Sequence, residues 1–298
     1  MMRLFETALF LPEGERAAAS FGSLLHGALM ERLPKDLAAM LHEQDMRPYS
    51  QSVLWDKEGG FARWRIGIVG DAAGEAIGEA LRQGDGIFLR QKGYEVRLSE
   101  RKLLAESSFE EIADTFFLQE TPPKGAELSF CTPTSFKREG RYVMLPDFFL
   151  ICQSLLMRWN RFAKEIYLYD EDLTERMALA CQLSKYALRS VPFSIEGHTI
   201  RGFCGTMHVR FFGTDGMRRI LGRLFCCAFM RTFYIGIRRL FHAGNERIPE
   251  FDTWLRQGGQ DFVGAFGKAR RVRRACRAFE GALRRHLHQR RLHPVEVA

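Results

Sequence analysis

Residues 199–240 constrain the fold more than any other stretch of this chain. Their pattern predicts a strand pair, a turn at residues 213–216, an amphipathic helix and a closing strand at residues 232–241. Asp215 stands at the expected helix start, where a short acidic side chain can cap free backbone amides. This β-β-α-β order fits the second half of a ferredoxin-like unit, an architecture typical of RNA-binding domains.

The first half of the chain predicts a unit with similar elements. Strands are expected at residues 3–11, 52–56, 61–69 and within 86–104. Helices are expected at residues 15–33, 36–43, 72–82 and 109–117. Pro34 separates the first two helices, and Asp71 is expected to cap the third.

The segment Thr121-Pro122-Pro123-Lys124-Gly125 has the composition of a linker. After it, the sequence predicts a strand at residues 126–131, a polar loop at 132–142, a helix at 146–166 and a helical segment at 173–189. We therefore predict an α+β chain of two tandem ferredoxin-like (RRM-like) domains, residues 1–122 and 123–242. A basic helical extension is predicted at residues 243–298.

Positive charge is concentrated in that extension. Residues 243–298 hold 12 of the 44 Lys and Arg but 6 of the 36 Asp and Glu, so they carry +6 of the net charge of +8. Between Lys268 and Arg291 the single acid is Glu280. Such a segment attracts a polyanion, and we expect it to add nonspecific phosphate contacts.

Composition excludes several classes of protein. Seven cysteines without framework spacing indicate a reducing cytoplasm. The sequence has neither a CxxC pair nor an HExxH motif, so no metal site and no cofactor are expected. The longest uncharged apolar run, residues 148–157, is half of the roughly 20 residues that a spanning helix needs. The N-terminus lacks a cleavage-site pattern and is interpreted as a first strand, so no membrane partner is expected.

Four short segments stand in a fixed order over residues 1–242. They are Leu41-His42-Glu43 with Arg47-Pro48-Tyr49-Ser50, residues 128–137 with Leu145-Pro146, residues 154–160, and Gly202-Phe203-Cys204-Gly205 with residues 232–236. In this order and spacing they resemble the CRISPR-associated endoribonuclease family that cuts repeat RNA to make guide RNAs.

The resemblance implies two ferredoxin-like domains in tandem and cleavage of CRISPR repeat RNA without a metal ion. The implied products carry a 2′,3′-cyclic phosphate and a 5′-hydroxyl. The family normally ends near position 242, so residues 243–298 are an addition. Some members lead a fusion with a reverse transcriptase and a CRISPR adaptation integrase, and a basic helical extension would suit a linker or docking element there. CRISPR effector or adaptation proteins are therefore candidate partners.

Two features depart from the family pattern. Tyr234 stands where one of two glycines around the closing strand is expected, and Arg231 is the only cation within residues 228–236. Many members carry a tyrosine on the first helix, whereas this helix offers His26 and Met30 but no tyrosine.

Metal-free RNA cleavage needs a base for the 2′-hydroxyl, an acid for the leaving 5′-oxygen and a cation beside the phosphate. Histidine suits the first two roles because its pKa lies near neutrality. His42 is the first candidate, since it ends a short helix before Arg47 and matches the family's histidine. His26 lies at about 140° from Phe21 on its helix, away from the apolar stripe. Arg47 is the candidate phosphate ligand. Each of these three residues also fits an ordinary surface position.

A second set of residues is predicted to contact RNA. Its members are cations or a histidine on loops, on the polar face of a helix or on a strand: Lys137, Arg138, Arg141, Arg218, Arg219, Arg223, Arg231 and His208. The same residues fit a solvated surface. Two other functions therefore stay open from the sequence: a non-catalytic subunit that holds a repeat stem without cutting it, and a docking module of an adaptation complex.

Overall fold

The computed structural model describes residues 1–17, 21–43, 46–99, 101–163, 165–195, 198–230 and 236–241. Within these residues the chain forms two antiparallel sheets with helices packed on them, one sheet from each half. A short two-stranded hairpin accompanies the second sheet. The predicted basic extension and the predicted loop cation Arg231 lie outside the described residues.

The N-terminal half builds a sheet in the strand order β2-β3-β1-β5-β4, with β6 pairing with β1. Its elements are β1 (Met2–Phe10), α1 (Phe21–Met30), α2 (Lys35–Glu43), β2 (Tyr49–Asp56), β3 (Phe61–Val69), α3 (Asp71–Arg82), β4 (Gly86–Leu89), β5 (Tyr94–Leu98), β6 (Lys102–Ser107) and α4 (Phe109–Leu118). The order places the first strand and the strand before α3 at the centre, as in a ferredoxin-like sheet.

One face of this sheet is covered by α1 and α3. Alternate residues of β3, Trp64, Ile66 and Ile68, are buried with Leu25 of α1 and Ile77 of α3 in one apolar cluster. The period of two along β3 and the period of about four along the helices place all these residues on facing surfaces. Burial of this face fixes where α1 lies above the strands.

The C-terminal half has the sheet order β10-β11-β7-β12, which corresponds to β2-β3-β1-β6 in the first sheet. Its elements are β7 (Gly125–Thr134), β8 (Phe136–Arg138), β9 (Arg141–Val143), α5 (Phe148–Phe162), α6 (Leu173–Leu179), β10 (Cys181–Ile195), β11 (His198–Phe211), α7 (Asp215–Met230) and β12 (Gly236–Phe241). Two sheets with one order confirm the predicted pair of ferredoxin-like folds.

A second apolar cluster joins the two halves. It contains Trp159 of α5 and Phe225 of α7, both buried, together with Met2 and Leu4 of β1. Phe116 of α4 belongs to the same cluster. Helix α4 therefore packs with the helices of the second half, while its chain neighbour β6 belongs to the first sheet.

Three local predictions were wrong. Residues 181–189, expected to be helical, form the first part of β10 because their backbone pairs with β11, and pairing overrides helix propensity. Residues 199–211 consequently form one long strand rather than a strand pair. The helix caps also differ: Thr214 Oγ1 accepts the Met217 amide at 3.3 Å where Asp215 was expected, and α3 has Gly70 at its N-cap without a side-chain bond. In the described residues no helix is long and apolar enough to span a membrane.

Candidate active site

Two histidines and an arginine from three separate segments meet beside the first strand of the β2–β3 hairpin. His26 comes from the middle of α1, His42 from the last turn of α2, and Arg47 from the chain that enters β2. The ring centroids of the two histidines are 6.4 Å apart. The residues that the sequence predicted for catalysis therefore lie close together in the fold.

Tyr49 is the fourth member of this cluster. Its hydroxyl is hydrogen-bonded to Nδ1 of His26, and the two rings stack with centroids 5.9 Å apart and an interplanar angle of 22°. Arg47 donates a hydrogen bond to the same hydroxyl. Tyr49 is 7% exposed, so its ring forms the inner wall of the site.

The position of α1 over the sheet is set by Gln51, two residues further along β2. Its side-chain amide donates to the Gly22 carbonyl at 2.6 Å, and its oxygen accepts from Trp64 Nε1 at 2.9 Å. The amide thus ties the start of α1 to the buried face of the sheet. His26, one turn further on, is held above Tyr49 by this attachment.

The two histidines lie in different electrostatic environments. Burial lowers the pKa of His26, and the positive charge of Arg47 and the neighbouring His42 lower it further. Burial also raises the pKa of Tyr49 to about 12, against a smaller opposing effect of Arg47. Near neutral pH His26 is therefore uncharged, and Tyr49 keeps its proton. His42 is exposed to solvent at the outer side of the cluster.

Tyr49 is a site residue that the sequence did not predict, because the family pattern places its tyrosine on the first helix. The structure supplies an aromatic hydroxyl from the sheet instead. A signal was present: Tyr49 stands two residues after Arg47, in one of the segments that carries the family resemblance. On a strand, residues two apart share a face, so Gln51 belongs to the same inner surface.

The predicted basic loop is a hairpin of β8 and β9 whose cations are exposed. Lys137 Nζ lies 5.8 Å from the centroid of the Tyr142 ring. Arg138 forms a salt bridge with Asp147 at 3.0 Å and lies 5.8 Å from the Phe149 ring centroid. Arg141 faces solvent. Lys137 and Arg141 are thus the cations of this loop that are placed to meet a phosphate.

The arginines of α7 have different surroundings. Arg218 pairs with Asp215 one turn before it. Arg219 donates to the carbonyls of Phe116 and Gln119 at 2.7 and 2.6 Å, at the C-terminal end of α4. These two arginines satisfy partners inside the protein.

The prediction that Arg223 lies on a solvated face was wrong. Arg223 is 1% exposed, with its guanidinium 4.5 Å from the Trp159 ring centroid and 5.4 Å from that of Phe117. The cause is a second packed side of α7: a Cβ on Gly222 would come within 2.9 Å of the Phe116 ring, so α4 lies directly against the helix. Burial lowers the pKa of Arg223 to about 10.

His208 lies half-buried on β11, in register with Glu127 of β7 and Lys185 of β10. Its contact with RNA stays a prediction. Among the described residues no group of three or more His, Cys, Asp or Glu side chains is arranged to hold a metal ion.

Known proteins match both the sequence and the fold. A family model described as the CRISPR-associated endoribonuclease Cas6 matches residues 128–248. A Cas6 endoribonuclease from Mycobacterium tuberculosis is 29% identical over 204 residues, which are 67% of this chain and 64% of that relative. One from Streptococcus thermophilus is 26% identical over 194 residues, 65% of this chain and 77% of the relative.

A solved Thermus thermophilus Cas6, in a product complex, has the same fold. It superposes with a TM-score of 0.64 at 25% identity, covering 78% of this chain and 94% of that one. The chain spans about two thirds of the length of the mycobacterial relative, 64%. The match of sequence segments, sheet order and fold leads to one conclusion: this chain is similar to the CRISPR-associated endoribonuclease Cas6 proteins, and its residues 128–248 match the model of that family.

Proposed function

We propose that this protein is an endoribonuclease that cuts CRISPR repeat RNA without a metal ion. The observation that carries the proposal is the cluster of two histidine rings with centroids 6.4 Å apart, backed by Tyr49 and Arg47. Two imidazoles at this spacing can reach the two oxygens that exchange protons when a 2′-hydroxyl attacks the adjacent phosphate. The similarity to Cas6 endoribonucleases suggests the substrate class.

In the proposed reaction His26 is the general base. Its lowered pKa keeps the ring neutral near pH 7, so a nitrogen lone pair is ready to take the proton of the 2′-hydroxyl. This role requires the tautomer in which the Nδ1–H of His26 donates to the Tyr49 oxygen, whose second lone pair accepts from Arg47. This tautomer leaves Nε2 of His26 free to face the RNA.

His42 is the general acid in this assignment. In this role His42 supplies the proton that the leaving group needs. His42 gives that proton to the departing 5′-oxygen while the 2′-oxygen bonds to phosphorus, which yields a 2′,3′-cyclic phosphate and a 5′-hydroxyl. Arg47, hydrogen-bonded to Tyr49 close to His26, balances the negative charge that grows on the phosphoryl oxygens.

Binding of the repeat is assigned to cations outside this cluster. Lys137 and Arg141 on the exposed β8–β9 hairpin are the phosphate contacts that we propose in the C-terminal half. Arg231 remains a candidate from the sequence. Arg223 is not proposed, because its guanidinium is enclosed by aromatic rings.

The test is cleavage of the repeat RNA under single-turnover conditions in excess EDTA, followed by analysis of the product ends. We expect full activity in EDTA and a cyclic phosphate at the 3′ end. A single 2′-deoxy nucleotide at the cut should abolish cleavage, because the attacking oxygen is then absent. Loss of activity in EDTA or a 3′-hydroxyl product would refute the mechanism. Tight binding of an uncut repeat would identify a non-catalytic RNA-binding subunit instead.

A further inference from the structure

The face of the N-terminal sheet turned away from α1 and α3 is covered at one end only. Met2 and Leu4 of β1 and Val69 of β3 are buried there against the second apolar cluster. The same face continues along both strands to Phe10 and Phe61, which are at least partly open to solvent. Two aromatic rings on neighbouring central strands therefore lie outside both apolar cores.

These two rings form a defined pair. Their centroids are 5.8 Å apart with an interplanar angle of 46°, and Phe10 is 37% exposed. The Phe61 ring rests on the hairpin turn, where a Cβ on Gly59 would lie 2.1 Å from its Cε1. The turn fixes the orientation of Phe61, and Phe61 in turn supports Phe10.

Arginines flank the pair on both sides. The Arg97 guanidinium of β5 lies 4.9 Å from the Phe10 ring centroid, and that of Arg63 lies 6.0 Å from the Phe61 centroid. Arg63 is paired with Asp56, whereas Arg97 forms no salt bridge with any described residue. Arg97 is therefore the cation of this surface that is placed to meet an anionic ligand.

An open recess of about 350 Å³ adjoins the aromatic pair. It is lined by Leu54 and Asp56 of β2, by Glu58 of the turn, and by Arg63 and Arg65 of β3. Arg63 and Arg65 pair with Asp56 and Glu6, so what the recess offers a planar ring is the apolar surface of Leu54. The pair, the flanking arginines and the recess lie along one continuous strip of the sheet.

We propose that this strip, made of Phe10, Phe61, Arg63 and Arg97, is a second RNA site that binds unpaired nucleotides by base stacking. Aromatic side chains on an open sheet stack bases of any sequence, and nearby arginines neutralise the phosphates. The strip begins at the far end of β2 from Tyr49, about 23 Å away at 3.3 Å per residue. It rests on the proposed function in one respect, the choice of RNA as ligand.

The experiment measures fluorescence anisotropy of a labelled short oligouridine with the full chain and with Phe10→Ala, Phe61→Ala and Phe10→Trp. Each alanine variant should bind about tenfold more weakly, since stacking contributes roughly 1–3 kcal/mol per base. Phe10→Trp should keep the affinity because it keeps a stacking surface. Tyr169→Ala, which removes an aromatic ring that is 82% exposed in the other half, is the control and should change nothing.

A second measurement protects the test against loss of folding. In a strand carrying 5-iodouridine, photocrosslinking to the wild type should modify Phe10 or Phe61, as mapped by mass spectrometry. Arg97→Gln should flatten the slope of log affinity against log salt by about 0.7, the value for one single-strand phosphate. Crosslinks only elsewhere, or unchanged affinity and slope in folded variants, would overturn the proposal and point to a protein ligand.

These readouts are independent of cleavage. If the protein binds oligouridine through the strip but leaves repeat RNA uncut, the proposed nuclease activity fails and this site stands. If stem-only repeat RNA is cut while the alanine variants bind oligouridine normally, the proposed nuclease activity stands and this second RNA site fails.

Discussion

Helices α1 and α7 carry polar residues that look alike on a helical wheel, yet the two regions use them differently. His26 of α1 lies away from the apolar stripe and enters a cluster with His42, Arg47 and Tyr49. Arg223 of α7 is closed over by Trp159 and Phe117. The α1 region gathers titratable groups at an open edge, whereas α7 uses its cations to join elements. The position of a residue on a helical wheel thus predicts whether it faces away from the apolar stripe. It does not predict which other elements pack against that side of the helix.

The largest effect is expected from His42→Ala in the α1 region. Removal of a general acid or base typically slows a reaction by about 10²- to 10⁴-fold. Single-turnover cleavage should fall by that order while RNA affinity and thermal stability stay near wild type, because His42 is exposed.

The matched control is His198→Ala, which removes an exposed histidine at the start of β11. It should cleave at the wild-type rate. If His42→Ala cuts within about threefold of wild type, the assignment is wrong; an equal loss of affinity and rate would make His42 a binding residue.

For α7 the expected effect is on stability. Arg223→Ala should lower the free energy of unfolding by about 2–4 kcal/mol, since it opens a cavity between two aromatic rings. Arg223→Met fills the same space without a buried charge and should be nearly neutral or stabilising. Denaturant unfolding at neutral pH measures both variants.

Arg218→Ala is the control on the same helix, because its partner Asp215 is 67% exposed and the ion pair should contribute no more than about 1 kcal/mol. Equal stability of the Arg223→Ala and Arg218→Ala variants, together with weakened RNA binding by the former, would show that Arg223 reaches the RNA after all.

A smaller effect is expected on the pH dependence of cleavage when the charge of Arg47 is removed. The positive charge of Arg47 lowers the pKa of His26, so Arg47→Gln should let that pKa rise. A base must be deprotonated to act, and the acidic limb of the pH–rate profile should therefore move to higher pH. Arg47→Lys keeps the charge and should keep the limb. If the acidic limb of the pH–rate profile stays at the same pH in both variants, His26 is not the base.

The smallest effect concerns the exposed cations of the C-terminal half. Replacing Lys137 and Arg141 together by glutamine should flatten the salt dependence of RNA affinity by about 1.4–1.8 in log–log slope, for two phosphate contacts. The cleavage rate at saturating protein should not change. Arg219→Gln is the comparison, since its donors serve carbonyls of α4, and it should leave the slope unaltered. If only Arg219→Gln alters the slope, the phosphate contacts lie on α7 and not on the β8–β9 hairpin.

The sequence predicted the order of elements better than their surroundings. Both ferredoxin-like sheets followed from alternating and helical periodicity, and His26, His42 and Arg47 followed from chemistry and resemblance. Residues 181–189 were misread because an exposed edge strand such as β10 lacks an apolar alternation, and only its pairing with β11 defines it. Arg223 was misread because its cover comes from α4, about a hundred residues away, which no local pattern records.

The account depends most on the proposal that His42 gives a proton and His26 takes one. A repeat RNA with sulfur in place of the bridging 5′-oxygen at the cut tests this directly, because a thiolate leaves without needing a proton. The account predicts that His42→Ala cleaves this RNA nearly as fast as wild type, whereas His26→Ala remains slow. Rescue of His26→Ala instead, or equal impairment of both variants on the sulfur-containing RNA, would contradict it.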